Sequence, residues 1–456
     1  MVSSWRTVLP AGRLQLLNFY PERYRGPATD SGLVIGGHTP GVPASTVYAD
    51  PREFAPRLGF AYALGPQSKT VVRGGFGIFF DTPTGQITQQ KLFEPPYSAN
   101  QTALFTPTSA LNGFRLPPPI DLSNPPPQTV HGGSLTIRPI EEHRGTGYAE
   151  QWNFGLQQEL SSGLLLAGSY VGTRGRQMFR AHNINYPRSV GDSLVRPYDG
   201  FSTILLLDSG ANSDYHSLQL TAQKRFFGGA SVLAAYTFSK ALDEAASTTR
   251  FFDNATGDPA NLRGSWGPAS FDRTHRLVVS YNLAIPNPFG ANAHGAAAIL
   301  KGWEISGVTT LESGIPFSVS NAQSNLDHDG DAGSPGTGGR ADSVAGVQPI
   351  NPGPNSSKLN TFLNAAAFAP APRSRYGTLG RDTMRGPGVN IWDGRISKIT
   401  PLNERLRLRF LTEFFNNWNH AAFSNPATTL GTAAFGTITS TVSNARIVQF
   451  ALKLEY

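Results

Sequence analysis

The sequence predicts an all-β fold: a transmembrane antiparallel β-barrel, or part of one, with long extracellular loops and short periplasmic turns. Three observations predict it. The chain ends on a strand pattern, in which Phe450, Leu452, Leu454 and Tyr456 alternate with Gln449, Ala451, Lys453 and Glu455. Side chains alternate across a strand, so one face of this segment is apolar and the other polar and charged. A soluble domain tends to fray at its end, where an apolar aromatic edge invites aggregation. A barrel needs a last strand that pairs with the first, faces lipid and sets an aromatic at the interface. Composition is the second observation. Charged residues make up 15% of the 456 residues, against roughly 25% in soluble domains. No run reaches the roughly 18 apolar residues of a membrane helix, which leaves a barrel as the way to span a bilayer. The third is that short turns and long loops alternate along the chain.

Residues 1–56 are expected to be a lead-in, mostly loop with room for one short strand, punctuated by Gly36-Gly37, Pro40-Gly41 and Pro43. The barrel is expected over residues 57–456. Its first hairpin joins Arg57–Leu64 to Thr70–Phe80 through Gly65-Pro66-Gln67-Ser68, with Leu58, Phe60, Tyr62 and Leu64 on one face. Three proline clusters, at 95–96, 117–119 and 125–127, make residues 81–148 a long loop, since proline cannot sit in a central strand. The second hairpin places Trp152, Phe154, Leu156 and Leu160 before Ser161-Ser162-Gly163, and Leu164, Leu166, Gly168 and Tyr170 after it. A loop follows from about 176 to 213. The third hairpin pairs Leu218, Leu220 and Ala222 with Val232, Ala234, Tyr236 and Phe238, and a loop runs from about 241 to 271. The fourth sets Leu277, Val279, Tyr281 and Leu283 against Trp303, Ile305, Gly307, Thr309 and Leu311. After a polar loop over 321–388, the fifth runs from Asn390 to Ile399, turns at Thr400–Asn403 and returns from Arg405 to Phe415. With the terminal strand this makes about eleven strands, most near the roughly 9–11 residues that cross a bilayer at a tilt.

Cysteine is absent, which removes disulfides, thiol catalysis and cysteine-based zinc sites. The net charge of +7 is spread out, with no Lys/Arg run to form a nucleic-acid face. Met1 is followed by Val-Ser-Ser-Trp-Arg rather than a charged and then apolar leader. An exported protein with this beginning is expected to be a fragment or trimmed product.

Six segments in order carry a resemblance: Phe54–Phe60, Val72–Phe79, Tyr170–Arg176, Tyr236–Asp243, Phe271–Arg276 and Phe414–His420. From about residue 54 to its end the chain resembles the barrel of TonB-dependent transporters of the Oar-like type. That family implies a barrel of about 22 strands, an N-terminal plug, and a short segment engaging an inner-membrane energy-coupling protein. No plug or coupling segment is recognisable here, and the strands number about half. The resemblance therefore implies the C-terminal portion of such a barrel in the outer membrane of a Gram-negative-type bacterium, taking part in uptake of a bulky ligand. Its implied partners are outer-membrane lipid, the barrel-assembly machinery, an unidentified ligand and, where a plug is present, the energy-coupling protein. The competing reading is a soluble or surface β-rich binding or adhesion module. It requires two sheets face to face, with Leu452, Leu454 and Phe410 sealed between them.

Phe450, Leu452, Leu454 and Tyr456 are the candidate barrel-closing positions. Arg405, Arg407 and Arg409, with Glu413, are candidate lumen charges. They read either as a cationic stripe for anionic solutes or as an arginine ladder paired with carboxylates such as Glu413 and Glu455. The second is favoured because lumen faces are polar in barrels generally. Asp327, Asp329 and Asp331 resemble part of a calcium loop but lack its glycine and distal glutamate, and His328 beside them makes no zinc site. Asp272 and His275 suggest acid–base chemistry, but no nucleophile stands in a suitable context, and loop anchoring is preferred. Gly75-Phe-Gly77 lacks the helix of a dinucleotide site and reads as strand packing. No catalytic, cofactor or metal residue is assigned, and an enzyme is not expected. Trp152, Tyr170, Tyr236, Trp303, Trp392 and Tyr456 form a candidate interfacial belt.

Overall fold

The computed structural model describes residues 16–26, 30–48, 53–66, 69–81, 135–161, 163–186, 188–190, 193–226, 229–244, 258, 261–285, 299, 301–321, 339–372 and 377–456. Asp327, His328, Asp329 and Asp331 lie outside the described residues. The principal strands are β1 (Leu17–Gly26), β2 (Asp30–Ile35), β3 (Arg57–Leu64), β4 (Thr70–Phe80), β5 (Tyr148–Ser161), β6 (Leu164–Asn183) and β7 (Phe201–Arg225). They continue with β8 (Ser231–Asp243), β9 (His275–Ala284), β10 (Trp303–Glu312), β11 (Val389–Pro401), β12 (Arg407–Phe415) and β13 (Ile447–Glu455).

Strands β3 to β13 form one sheet in which each is hydrogen-bonded to its neighbours in chain order, eleven strands in a single up-and-down run. Every ladder along that run is antiparallel. One end carries the connections 65–69, 162–163, 226–230, 285–302 and 402–406; the other carries 81–147, 184–200, 244–274, 313–388 and 416–446. The first is the turn end and the second the loop end. Tight reversal at the turn end rests on glycine. Gly302 has φ +78, and a Cβ there would lie 2.3 Å from the Ile399 carbonyl oxygen.

The alternation read from the sequence maps onto the two faces of the sheet. One cross-strand row runs Tyr62, Val72, Leu156, Gly168, Leu220, Tyr236, Leu277 and Leu311. The adjacent row, pointing the other way, runs Ala61, Arg73, Gly155, Ser169, Gln219, Thr237, Arg276 and Glu312. The apolar face is uncovered: Phe410 is 37% exposed, Leu452 67% and Leu454 62%. Among the described residues no second sheet seals these three, so the two-sheet sandwich required by a soluble module is not their architecture. Hydrocarbon is the solvent that suits such a face.

Large rings fill the spaces that glycines leave on this face. Trp152 lies opposite Gly172, and a Cβ at Gly172 would meet the indole at 2.2 Å. Gly172→Val is expected to cost about 1–3 kcal/mol through overpacking. The readout is a lower temperature at which the folded, fast-migrating form disappears in detergent gels.

Three stretches differ from the sequence expectation. Where mostly loop with one short strand was expected, two strands, β1 and β2, pair antiparallel. The loop expected over 176–213 is shorter: β6 and β7 continue through 176–183 and 201–213 past their neighbours as a two-stranded arm, pairing Arg180 with Asp208 and Asn183 with Leu205. The hairpin packs on this arm, with the Phe19 ring 5.3 Å from that of Phe201. Asn18 donates to the Ile140 carbonyl (2.8 Å) and accepts from the Ile140 N–H (2.9 Å). Lastly, β12 begins at Arg407, and Arg405 falls in the preceding turn, where Asn403 Oδ1 accepts from its N–H.

Among the described residues, all four clusters of buried hydrophobic side chains lie at the loop end. One joins the 313–388 and 416–446 loops through Phe317, Val319, Phe362, Leu363, Leu430 and Ile438. The others bind the arm and the hairpin, through Ile140 and Leu207, through Phe19 and Ile204, and through Tyr20 and Val34.

Candidate functional site

The site has three parts: the terminal strand, the polar face beside it, and the anchors that hold the loops. β13 pairs with β12 over nine register partners, from Phe415 opposite Ile447 to Arg407 opposite Glu455. The apolar parity places Phe450, Leu452, Leu454 and Tyr456 on the uncovered face, with Tyr456 94% exposed. Among the described residues, β13 has no second ladder and β3 pairs only with β4. Each edge therefore presents a row of backbone N–H and C=O groups. In hydrocarbon each unsatisfied group costs several kcal/mol. Even a handful would exceed the roughly 5–15 kcal/mol by which domains are stable. The two edges thus require partners in a membrane.

The candidate lumen charges do not act as one stripe. Arg407, Arg409 and Glu413 share the polar face of β12, whereas Arg405 is in the turn. Arg409 Nε lies 2.8 Å from Glu455 Oε1, which is the paired-ladder arrangement. Glu413 stands opposite Arg395 of β11 in the ladder, a juxtaposition set by the register of the hairpin rather than by spacing along one strand. Ser397 Oγ donates to Glu304 (3.3 Å) on the same face. At the other end of this face, Arg276 Nε is 2.7 Å and Arg273 Nε 3.4 Å from the Glu312 carboxylate. Arg273 and Arg276, with Tyr215, Gln219, Thr237 and Phe271, edge a cleft. Mixed charges that neutralise one another give a hydrated wall rather than a strong field of one sign.

Asp272 and His275 have separate roles. The Asp272 side chain is fully buried, accepts from the Ala241 N–H (2.6 Å) and is paired with Arg385. It therefore ties the 244–274 loop, β8 and the 313–388 loop together. His275 Nδ1 is hydrogen-bonded to the Tyr236 hydroxyl at 2.8 Å. A second anchor, Arg381 on Asp243 at the end of β8, joins the 313–388 loop to the same strand, and Arg381 also donates to the Ser265 carbonyl. Burial pulls the Arg381 guanidinium below its usual range, an effect opposed by Asp382. Removing one partner of a buried pair typically costs about 3–5 kcal/mol. Asp272→Ala is accordingly expected to loosen the 313–388 loop, seen as faster protease cleavage within it while the strands remain protected. Gly75 and Gly77 sit within β4, and a Cβ at Gly77 would meet the Phe79 ring at 2.8 Å, so both serve strand packing.

A family model described as "Outer membrane beta barrel domain" matches residues 6–449. The chain belongs to the outer membrane beta barrel domain family. Its place is the outer membrane, its loop end extracellular and its turn end periplasmic. No curated protein matches the sequence. Among solved structures the chain is similar to the outer membrane transporter YddB from Escherichia coli, with 10% identity and a TM-score of 0.44, over 88% of this chain and 40% of that one. It is also similar to the FrpB iron transporter from Neisseria meningitidis, at 11% identity and a TM-score of 0.41, over 88% and 39%. A third is the ferripyoverdine receptor of Pseudomonas aeruginosa, at 11% and 0.41, over 88% and 33%. The barrel-family chain thus spans two fifths or less of the length of these proteins.

The six aromatics of the expected belt all lie on the lipid-facing side of this outer-membrane sheet. Trp303 and Tyr456 stand at the periplasmic end and Trp392 near the extracellular end. Trp303 Nε1 donates to the Ile299 carbonyl and Trp392 Nε1 to Asn390 Oδ1, each at 2.8 Å. Tyr170 and Tyr236 sit deeper, each bonded through its hydroxyl to a histidine ring, His216 and His275.

Proposed function

We propose that the chain is the C-terminal portion of the barrel wall of a TonB-dependent receptor or transporter of the Oar-like kind, taking part in uptake of a bulky ligand across the outer membrane. The observation that carries this reading is the apolar face, left uncovered across the strands and backed by a polar, charge-paired face. Support also comes from the six ordered motifs and from the extracellular loops, which pack on one another and are clamped to the strand ends by Asp272–Arg385 and Asp243–Arg381. A structured rim of that kind suits recognition of a large ligand better than a simple pore. Coupling to an inner-membrane energy source would require a plug, and assembly would draw on the barrel-insertion machinery reading Phe450 to Tyr456.

Two measurements test the reading. Ser343→Cys in the 313–388 loop should react with an impermeant maleimide on intact cells, whereas Asn403→Cys in the 402–406 turn should react only after the outer membrane is breached. Equal labelling of both overturns the orientation. Uptake is tested by comparing solute accumulation from the medium in cells with and without the gene. The difference should be abolished by a protonophore, and its persistence would exclude energised transport.

A further inference from the structure

We propose that the cleft edged by Tyr215, Phe271 and Arg276 is a binding subsite for a flat ring bearing an oxyanion, a carboxylate or a phosphate, on the solute that the wall takes up. The inference rests on the uptake reading above and adds the chemical class of one part of its ligand.

Position and size come first. Tyr215 and Gln219 on β7, Thr237 and Ser239 on β8, and Arg276 on β9 share one parity, so the cleft opens on the polar face and not toward lipid. Phe271 and Arg273 reach it from the 244–274 loop, which sets it directly beneath the extracellular rim. Its volume is about 280 Å³, near the lower end of the roughly 300–1,000 Å³ of small-molecule sites. One substituted ring fills such a space; a whole bulky ligand does not.

Charge decides what the ring carries. Among the described residues, both carboxylates at the cleft are engaged. Asp272 is fully buried, paired with Arg385, and accepts from the Ala241 N–H. The Glu312 side chain, 14% exposed, accepts from Arg276 Nε at 2.7 Å and has Arg273 Nε 3.4 Å away. Three guanidinium groups thus stand against two carboxylates, and one positive charge is left over. Arg273 is further committed, since its terminal nitrogen donates to the Ser313 carbonyl (2.7 Å). Arg276 is different. Its side chain is 53% exposed and meets Glu312 through Nε, so among the described residues its terminal nitrogens remain for a guest. A planar guanidinium fork matches a carboxylate or phosphate with parallel hydrogen bonds. A cation entering the cleft finds no uncommitted carboxylate. The rings supply the other half. Phe271 is 58% exposed and joins none of the buried clusters of the loop end, and Tyr215 lines the same cleft. Aromatic faces left open beside a guanidinium suit a flat ring stacked against them.

The chain has no cysteine, so a single thiol reports on the cleft. Thr237→Cys places it opposite Arg276, and Gln219→Cys, one strand over, is the second reporter. The full chain is expressed in its native host, and outer membranes that show the folded, heat-modifiable band are treated with methanethiosulfonate reagents of opposite charge. The sulfonate reagent should react about tenfold faster than the trimethylammonium reagent, the enrichment given by a cleft of one sign. Arg276→Gln should erase that preference. Benzoate and phenyl phosphate should protect the thiol, and benzylamine and acetate should not. Protection by either anion supports the proposal, and the stronger of the two names the group. Phe271→Ser should weaken benzoate protection about fivefold, the order of an aromatic contact, with the charge preference kept. Equal rates for the two reagents, protection by benzylamine, or benzoate protection that survives Arg276→Gln each overturns the proposal. Those failures leave energised uptake, read by the protonophore experiment, untouched. Recovery of the chain in the soluble fraction instead refutes the membrane reading itself.

Discussion

Deleting Phe450–Tyr456 is expected to abolish the membrane-inserted form. The deletion removes the partners of Arg407 through Thr412, six of the nine register pairs of the last ladder, and with them the Arg409–Glu455 ion pair. The backbone groups of β12 that faced β13 would then lie unpaired in hydrocarbon, at several kcal/mol each. Their sum exceeds the whole stability of an ordinary domain, so no partially functional wall should survive. Fractionation should show the truncated chain degraded or aggregated on the periplasmic side, with no heat-modifiable band. Tyr456→Ala separates two causes. It leaves every ladder pair intact but removes the terminal aromatic, so a defect in cells that is absent on refolding into detergent would assign the residue to recognition by the insertion machinery. Normal membrane levels of the seven-residue deletion would sink the reading of β13 as a barrel strand.

The second large effect comes from two neighbours in sequence that face opposite ways. Leu220 is 43% exposed on the apolar row, and Gln219 belongs to the polar row beside Arg276 and Glu312. Leu220→Arg should destabilise the folded barrel by about 2–4 kcal/mol, the cost of a guanidinium near the bilayer midplane. Gln219→Arg adds the same charge one residue away to a hydrated wall, and surface substitutions of that kind stay within about 0.5 kcal/mol. Denaturant titration in lipid vesicles reads the difference directly. Similar losses for both variants would mean that the apolar face is not lipid-facing, and equal tolerance would mean that it is solvated by water.

Most of the wall was legible because its strands face two different media. Period-two alternation at Leu218-Leu220-Ala222 or Phe450-Leu452-Leu454 survives only where one side is apolar and the other polar. The arm and the hairpin escaped for the same reason in reverse. Ile204, Leu205 and Leu207 are all buried, and so are Phe19 and Tyr20, so their strands read as short apolar runs without a period. The loop core was invisible because Phe317, Phe362 and Ile438 come together from segments rich in glycine and proline, at no helical or strand spacing. Asp272 was visible as a candidate, but its partner Arg385 lies 113 residues away and no local pattern points to it. Arg405 looked like a rung of the arginine ladder because the alternation continues through the turn that precedes β12.

The placement of the four hydrophobic clusters, all among the loops and the arm, divides the molecule calorimetrically. Melting the extracellular part brings Phe317, Val319, Leu207 and Tyr20 into contact with water, which raises the heat capacity in the ordinary way. Dismantling the wall within a bilayer exchanges one oily neighbour for another and contributes little to that quantity. Cold should therefore weaken the rim and leave the staves untouched, so that chilling loosens the outward-facing part of the protein long before the wall gives way.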